Sequence, residues 1–122
     1  MSLEEAMRAA LAAQAKAEEL KLNVSIAVVD VAGDLIYFSR MDEAHHGSID
    51  FAIAKARCAA RTRRRTSDWE TRLKSEPGVA TLPGILALAG GVHLADGGIG
   101  VSGARPAEDE MCAEAASSSF KA

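Results

Sequence analysis

Two extended runs separated by only four residues set the first constraint on this chain. Val24-Ser25-Ile26-Ala27-Val28-Val29-Asp30 is rich in β-branched residues, Val31-Ala32-Gly33-Asp34 has the composition of a turn, and Leu35 to Arg40 resumes a strand. A connection this short joins antiparallel strands, because parallel neighbours need a crossover of a dozen or more residues. The pattern recurs near the C-terminus. Val92-His93-Leu94-Ala95 leads into the hairpin-turn pair Asp96-Gly97, and Gly98 to Ser102 follows as a strand. Ile85 to Ala89 predicts one more short strand, interrupted by Gly90-Gly91.

Helical signals flank these hairpins. Ser2-Leu3-Glu4-Glu5 is a capping box, and Leu3, Met7, Ala10, Leu11 and Ala17 recur at helical spacing to about Leu20. Ser48 is placed to cap a second helix with Ile49, Ala52, Ile53, Ala56 and Ala60 on one face. That helix ends in the basic run Arg61 to Arg65, which suits the negative end of a helix dipole. Ser67-Asp68-Trp69-Glu70 predicts a short helix from Asp68 to about Ser75, stopped by Pro77-Gly78. Pro106 opens a last helix running to about Ser117. The predicted order is α-β-β-α-α-β-β-β-α with no βαβ crossover. It reads as an α+β protein with helices packed on an antiparallel sheet, in one domain over residues 1–122.

Composition narrows the function classes. Aromatics are 4% of the 122 residues, so the core is built from Ala, Val, Ile and Leu, and stacking platforms for single-stranded nucleic acid are scarce. The net charge of −3, from 14 basic and 17 acidic residues, argues against a phosphate-backbone binder. No apolar run approaches a membrane span, and Met1 to Ala10 has no signal-peptide core. Cys58 and Cys112 lie far apart, without zinc-type Cys/His spacing. Two reduced, buried thiols, no metal site and a cytoplasmic location are the expectations.

Candidate chemistry is sparse. Gly98-Ile99-Gly100-Val101-Ser102-Gly103 matches GxGxxG, but it reads as a strand with too little chain after it to complete a βαβ unit. Its glycines point to tight sheet packing or close backbone approach to a ligand. Arg57, Arg61, Arg63, Arg64 and Arg65 with Lys55 read as a solvated helix end or an anion site. Lys55 borders the apolar helix face, which makes it the stronger ligand or catalytic candidate. His93, among glycines, reads equally as a core residue or a pocket wall. Arg40-Met41-Asp42, at a strand-to-helix junction, and Asp30, at a strand end, are each open to a structural or a binding role.

Taken in order, Ala27-Val28-Val29-Asp30 with Gly33 and Leu35, Arg40-Met41-Asp42 with Ala44, Ala54-Lys55-Ala56, Gly90-Gly91-Val92, and Ile99-Gly100-Val101-Ser102-Gly103-Ala104 with Asp109 resemble the GlcG/HbpS-like family. That family includes the C-terminal domain of PduO-type cobalamin adenosyltransferases. The resemblance covers about Leu3 to Ala116 and implies a five-stranded antiparallel sheet flanked by helices, similar to profilin or PAS folds. It also implies homo-oligomers and, in several members, heme or corrinoid association. The chain departs from the family pattern at Glu43, where glycine is usual, at His93, where proline is usual, and in a short segment around Asp96-Gly97.

Two functions follow as expectations. The first is a small-molecule-binding domain for heme or a similar anionic ligand, with His45 and His46 as axial candidates and Arg40, Asp42, Lys55, Gly91 and Asp109 around the ligand. The second is a cofactor-independent enzyme of isomerase or lyase type acting on a small carboxylate-bearing metabolite. There His93 is the acid/base and Lys55 a second catalytic group. Both place one pocket between the sheet and the second helix, faced by Arg40, Lys55 and His93.

Overall fold

The computed structural model describes residues 1–119. Helix α1 (Leu3–Glu19) opens with the expected capping box: Ser2 Oγ accepts the Glu5 N–H at 3.0 Å, and the Ser2 N–H donates to Glu5 Oε1 at 2.8 Å. Strands β1 (Ser25–Asp30) and β2 (Leu35–Arg40) form the first hairpin. In its turn, Asp30 Oδ1 accepts the N–H groups of Ala32 and Asp34, so Asp30 is a turn residue. Helix α2 (Gly47–Thr62) and helix α3 (Thr66–Ser75) follow, then a 3₁₀ turn (Pro77–Thr81). Strands β3 (Gly91–Leu94) and β4 (Gly97–Ser102) make the second hairpin, and helix α4 (Pro106–Ser119) closes the described chain.

The sheet is antiparallel, in the order β2-β1-β4-β3. It has four strands rather than five. Ile85–Ala89 does not pair; it runs between Gly84 (φ +76°) and Gly90 (φ +134°), outside the sheet. Its apolar side chains, Ile85, Leu86 and Ala87, are half-buried and pack against Cys58, Trp69 and Val79 instead. A short apolar run satisfies its hydrophobic content equally well against helices, which is why periodicity alone reads it as a strand.

Two helix caps also differ from expectation. Ser48 does not cap α2: its hydroxyl is buried, paired with Ser25 Oγ at 2.7 Å and donating to the His45 carbonyl at 2.6 Å. α3 starts at Thr66, without the Ser67–Glu70 box. Thr66 Oγ1 accepts the Gly91 N–H, and the Glu70 carboxylate accepts the Ala89 N–H at 2.9 Å. Tertiary donors from the following segment take both side chains.

The two faces of the sheet are covered differently. α1 and α4 bury Ala6, Ala9, Ala13, Cys112 and Ala113 against Ile26, Val28, Ile99 and Val101. α2 lies on the other face, over Ala27 and Val29, through Ala52, Ala56 and Ala60. The GxGxxG segment is the seat of α2. A Cβ on Gly98 would sit 2.7 Å from the Ala56 carbonyl oxygen, and one on Gly100 would overlap that of Ala52. Helix backbone occupies the space where strand side chains would stand, as the close-packing reading of the motif expects.

This seat yields a prediction. Gly100→Ala forces α2 off β4 and should cost about 3 kcal/mol or more of unfolding free energy. Ile99→Val, on the opposite face of the same strand, should cost about 1 kcal/mol. Equal midpoint shifts in urea unfolding would contradict the seat.

Candidate functional site

The two buried faces fix what α2 presents elsewhere. Lys55 points inward and is fully buried, with Nζ donating to the Val101 carbonyl and to Asp109 Oδ2, each at 3.1 Å. Asp109, at the first turn of α4, also accepts the Ala104 N–H through Oδ1. Gly90 and Gly91 leave room for this lysine: a Cβ on Gly90 would lie 2.7 Å from Nζ, and one on Gly91 would overlap the Lys55 carbonyl. The space that the glycines free is filled by Lys55. Burial pushes the Asp109 carboxyl up from its ordinary value, against the pull of the Lys55 ammonium.

The residues expected to share one pocket lie in three places. Arg40 and Asp42 line a polar cleft between α1 and the end of β2. His93 is exposed on β3 and faces a separate cavity of about 240 Å³ beside Arg63. Lys55, Gly91 and Asp109 are inside the protein, joined to one another.

A cavity of about 490 Å³ forms a groove along the outer side of α2. Ile53, Ala54, Ile85 and Leu86 give it apolar walls, and Asp50, Arg57 and Arg61 line it with charge. His46 stands at the N-cap of α2 with helical dihedrals (φ −62°, ψ −34°). It therefore falls in the same helical row as Asp50, Ala54, Arg57 and Arg61, each three or four residues from the next. His45 differs: its ring lies back against Gly47, whose Cβ position is 3.3 Å from His45 Nδ1. Arg61 is held in place by its Nε–H donating to the Ala32 carbonyl at 2.7 Å.

The outer wall is the unpaired segment Ile85–Ala89. The Leu86 N–H donates to Cys58 Sγ at 3.5 Å, and the Glu70 carboxylate holds Ala89. Burial pushes the Cys58 thiol up, and it pushes the Cys112 thiol up to about 11, with the Asp109 carboxylate adding to the latter shift. Both cysteines are free thiols.

The basic cluster thus divides. Arg57 and Arg61 line the groove, Arg63 faces the His93 cavity, and Arg65 pairs with Glu114. The i, i+4 row could have separated Arg57 and Arg61 in the sequence. No local signal marks Ile85 and Leu86 as the facing wall, because their position depends on burial against Trp69. Among the described residues, no group of three His, Cys, Asp or Glu side chains is placed to hold a metal ion. No helix there is long and apolar enough to cross a membrane.

This is a small α+β domain with an antiparallel sheet, an exposed groove with apolar walls, and cationic side chains along one helix. A family model described as "Haem degrading protein HbpS-like" matches residues 1–118, and the chain belongs to that family. It is 32% identical to an uncharacterized 15.0 kDa protein from the dhaT-dhaS intergenic region of Citrobacter freundii, over 98% of this chain and 92% of that one. It is 36% identical to protein GlcG of Escherichia coli K12, over 68% of this chain and 63% of GlcG. A crystal structure of a double mutant of Streptomyces reticuli HbpS superposes with a TM-score of 0.93 at 37% identity, covering 100% of this chain and 88% of that one. A PduOC:heme complex superposes at 0.89 and 22% identity, over 99% and 95% of the two chains; this last likeness is one of fold.

Two predictions follow. Lys55→Met alone leaves a buried carboxyl without its partner and should cost about 3–5 kcal/mol, while adding Asp109→Asn should recover much of that loss. Additive losses in a double-mutant cycle would contradict the pairing. The raised Asp109 carboxyl binds a proton more tightly folded than unfolded. Stability from this group is therefore greatest in acid and falls as pH rises from below the ordinary 3.8 through the raised folded value. Relative to Asp109→Asn, the native chain should lose unfolding free energy over that rise; a gain would reverse the assignment. For the cysteines, native-state labelling by a disulfide reagent should run far below the free-thiol rate for both residues, and rapid labelling of Cys58 would contradict its burial.

Proposed function

We propose that this domain binds heme or a closely similar anionic tetrapyrrole in the groove between α2 and the Ile85–Ala89 segment. The observation that carries the reading is the joining of apolar walls with Arg57 and Arg61 in a cavity of about 490 Å³, within the size range of small-molecule sites. A flat macrocycle needs apolar surface on its faces, and its carboxylates need cationic partners at one edge. Ile53, Ala54, Ile85 and Leu86 would hold the ring, Arg57 and Arg61 the carboxylates, and His46, from the same helix row, would offer an imidazole nitrogen to the iron. Bound heme would supply an iron centre with redox and ligand-exchange chemistry. The chain's own groups bind it, orient its charged edge and limit water on one face. Membership of the HbpS-like family and the heme in the PduOC structure support the reading.

The chain is also proposed to self-associate and to work in the cytoplasm. Leu3, Met7 and Leu11 leave an apolar stripe exposed on α1, and two unpaired thiols suit a reducing compartment. A sedimentation mass near that of one 12.8 kDa chain at micromolar concentration would contradict the association.

Hemin titration tests the binding directly. The native chain should give a saturable Soret shift, and Arg57→Gln with Arg61→Gln should weaken binding about tenfold or more. His46→Ala should move the Soret band, whereas His45→Ala should leave it in place. Heme dimethyl ester, which lacks the free carboxylates, should bind the native chain more weakly. Hemin binding that ignores both arginines and the esterification would contradict the groove as its site.

A further inference from the structure

The β1–β2 turn lies outside the α2 groove, yet it holds one of the groove's two arginines. Its own shape is fixed by hydrogen bonds. Asp30 Oδ1 accepts the Ala32 and Asp34 N–H groups at 2.9 and 3.0 Å. The Gly33 N–H donates to the Asp30 carbonyl, and the Asp30 N–H to the Asp34 carbonyl, each at 2.9 Å. The Ala32 carbonyl of this turn accepts the Arg61 Nε–H at 2.7 Å. Gly33 is buried, with φ +90°, and a Cβ on it would lie 2.7 Å from Arg61 Nε and 3.2 Å from Cζ. The guanidinium thus occupies the place of the side chain that Gly33 lacks.

Arg57 lines the same groove about one helical turn earlier and, among the described residues, makes no hydrogen bond or ion pair. The two cations therefore differ in kind. Arg61 is ordered before any ligand arrives, and its Nε is taken by the turn. Its two Nη groups have no partner among the described residues, and such a pair can grip one carboxylate through two parallel hydrogen bonds. Arg57 must be ordered when it binds, which costs affinity. We propose that Arg61 is the fixed carboxylate clamp of the α2 groove, and that Gly33 and the Asp30-held turn are what position it. Arg57 adapts to a second carboxylate wherever the ligand presents one. The inference rests on the groove as the tetrapyrrole site, and it sends one ligand carboxylate to the C-terminal end of α2.

Hemin and heme dimethyl ester, titrated into variants of the full chain, test it. Arg61→Gln should weaken hemin binding about fivefold more than Arg57→Gln does. Gly33→Ala puts a methyl where Arg61 lies and should weaken hemin about fivefold, leave the dimethyl ester unchanged, and add no loss to Arg61→Gln. A groove that had merely been distorted would lose the ester as well. Arg61→Lys keeps the charge but has a single nitrogen to serve both the Ala32 carbonyl and a carboxylate, so it should also lose about fivefold; it carries the test if Gly33→Ala does not fold. In the unliganded chain, the Arg61 Nε–H should show a ¹⁵N–¹H NOE near backbone values, and the Arg57 Nε–H a much lower one. Equal losses for the two Gln variants, a Gly33→Ala chain that binds hemin as the native one does, or equally mobile side chains would overturn the proposal and leave the groove standing. Hemin binding that needs neither arginine removes the groove reading, and the clamp with it.

Discussion

The architecture depends on how closely α2 lies on β4. Gly98 and Gly100 present no side chains toward the helix, and Ala52, Ala56 and Ala60 present small ones. Backbone therefore meets backbone, and the layer between helix and sheet is thin. In a chain with few aromatics, dense contact comes from such close approach rather than from large side chains. Lys55, a long side chain fully buried in this layer, fits because Gly90 and Gly91 yield to it. It ties α2 to Asp109 at the start of α4. A buried pair of this kind is costly to break and gives little net stability when intact, so its main effect is to fix which elements lie together.

The location of the groove follows from the same seat. Once α2 commits its small face to β4 and Lys55 to the interior, the row from His46 through Arg57 to Arg61 is left outward. The chain between α3 and β3 cannot join the sheet, because Gly84 and Gly90 bend it outward and Trp69 and Cys58 offer it an apolar bed. It becomes the facing wall. The groove is thus made of one rigid side, anchored by the sheet, and one irregular side held by a thiol, a carboxylate and a small apolar cluster. The irregular side has the fewer anchors and is the side expected to move when a ligand enters.

Much of the fold was legible in the sequence because its signals are local. The Val31–Asp34 turn, the Ser2–Glu5 box and Pro106 each act within a few residues and each appears where expected, whereas the second hairpin turns one residue before the Asp96-Gly97 pair, at Ala95-Asp96, with Gly97 already paired to Leu94. The family, too, was legible from the ordered set of short motifs. The errors arose where distant partners decide. Ile85–Ala89 has the residues of a strand but packs on helices, and Ser48 and Glu70 have the chemistry of caps but bond elsewhere. The site was less legible. Lys55 was singled out by its place at the edge of an apolar face, yet its burial makes it an internal tie. Arg40, Lys55 and His93 do not converge, because Lys55 is buried between α2 and the sheet, His93 is exposed beside Arg63 at the end of α2, and Arg40 lines the cleft beside α1.

The central claim is that the tetrapyrrole lies on the outer row of α2 under the Ile85–Ala89 wall. Ferric heme broadens nearby amide resonances, so a ¹⁵N–¹H spectrum of the hemin-loaded protein maps the site residue by residue. Broadening centred on residues 50–61 and 84–86 is the predicted result. Broadening centred on His93 and Arg63, or on residues 39–42, with the α2 row untouched, would contradict it.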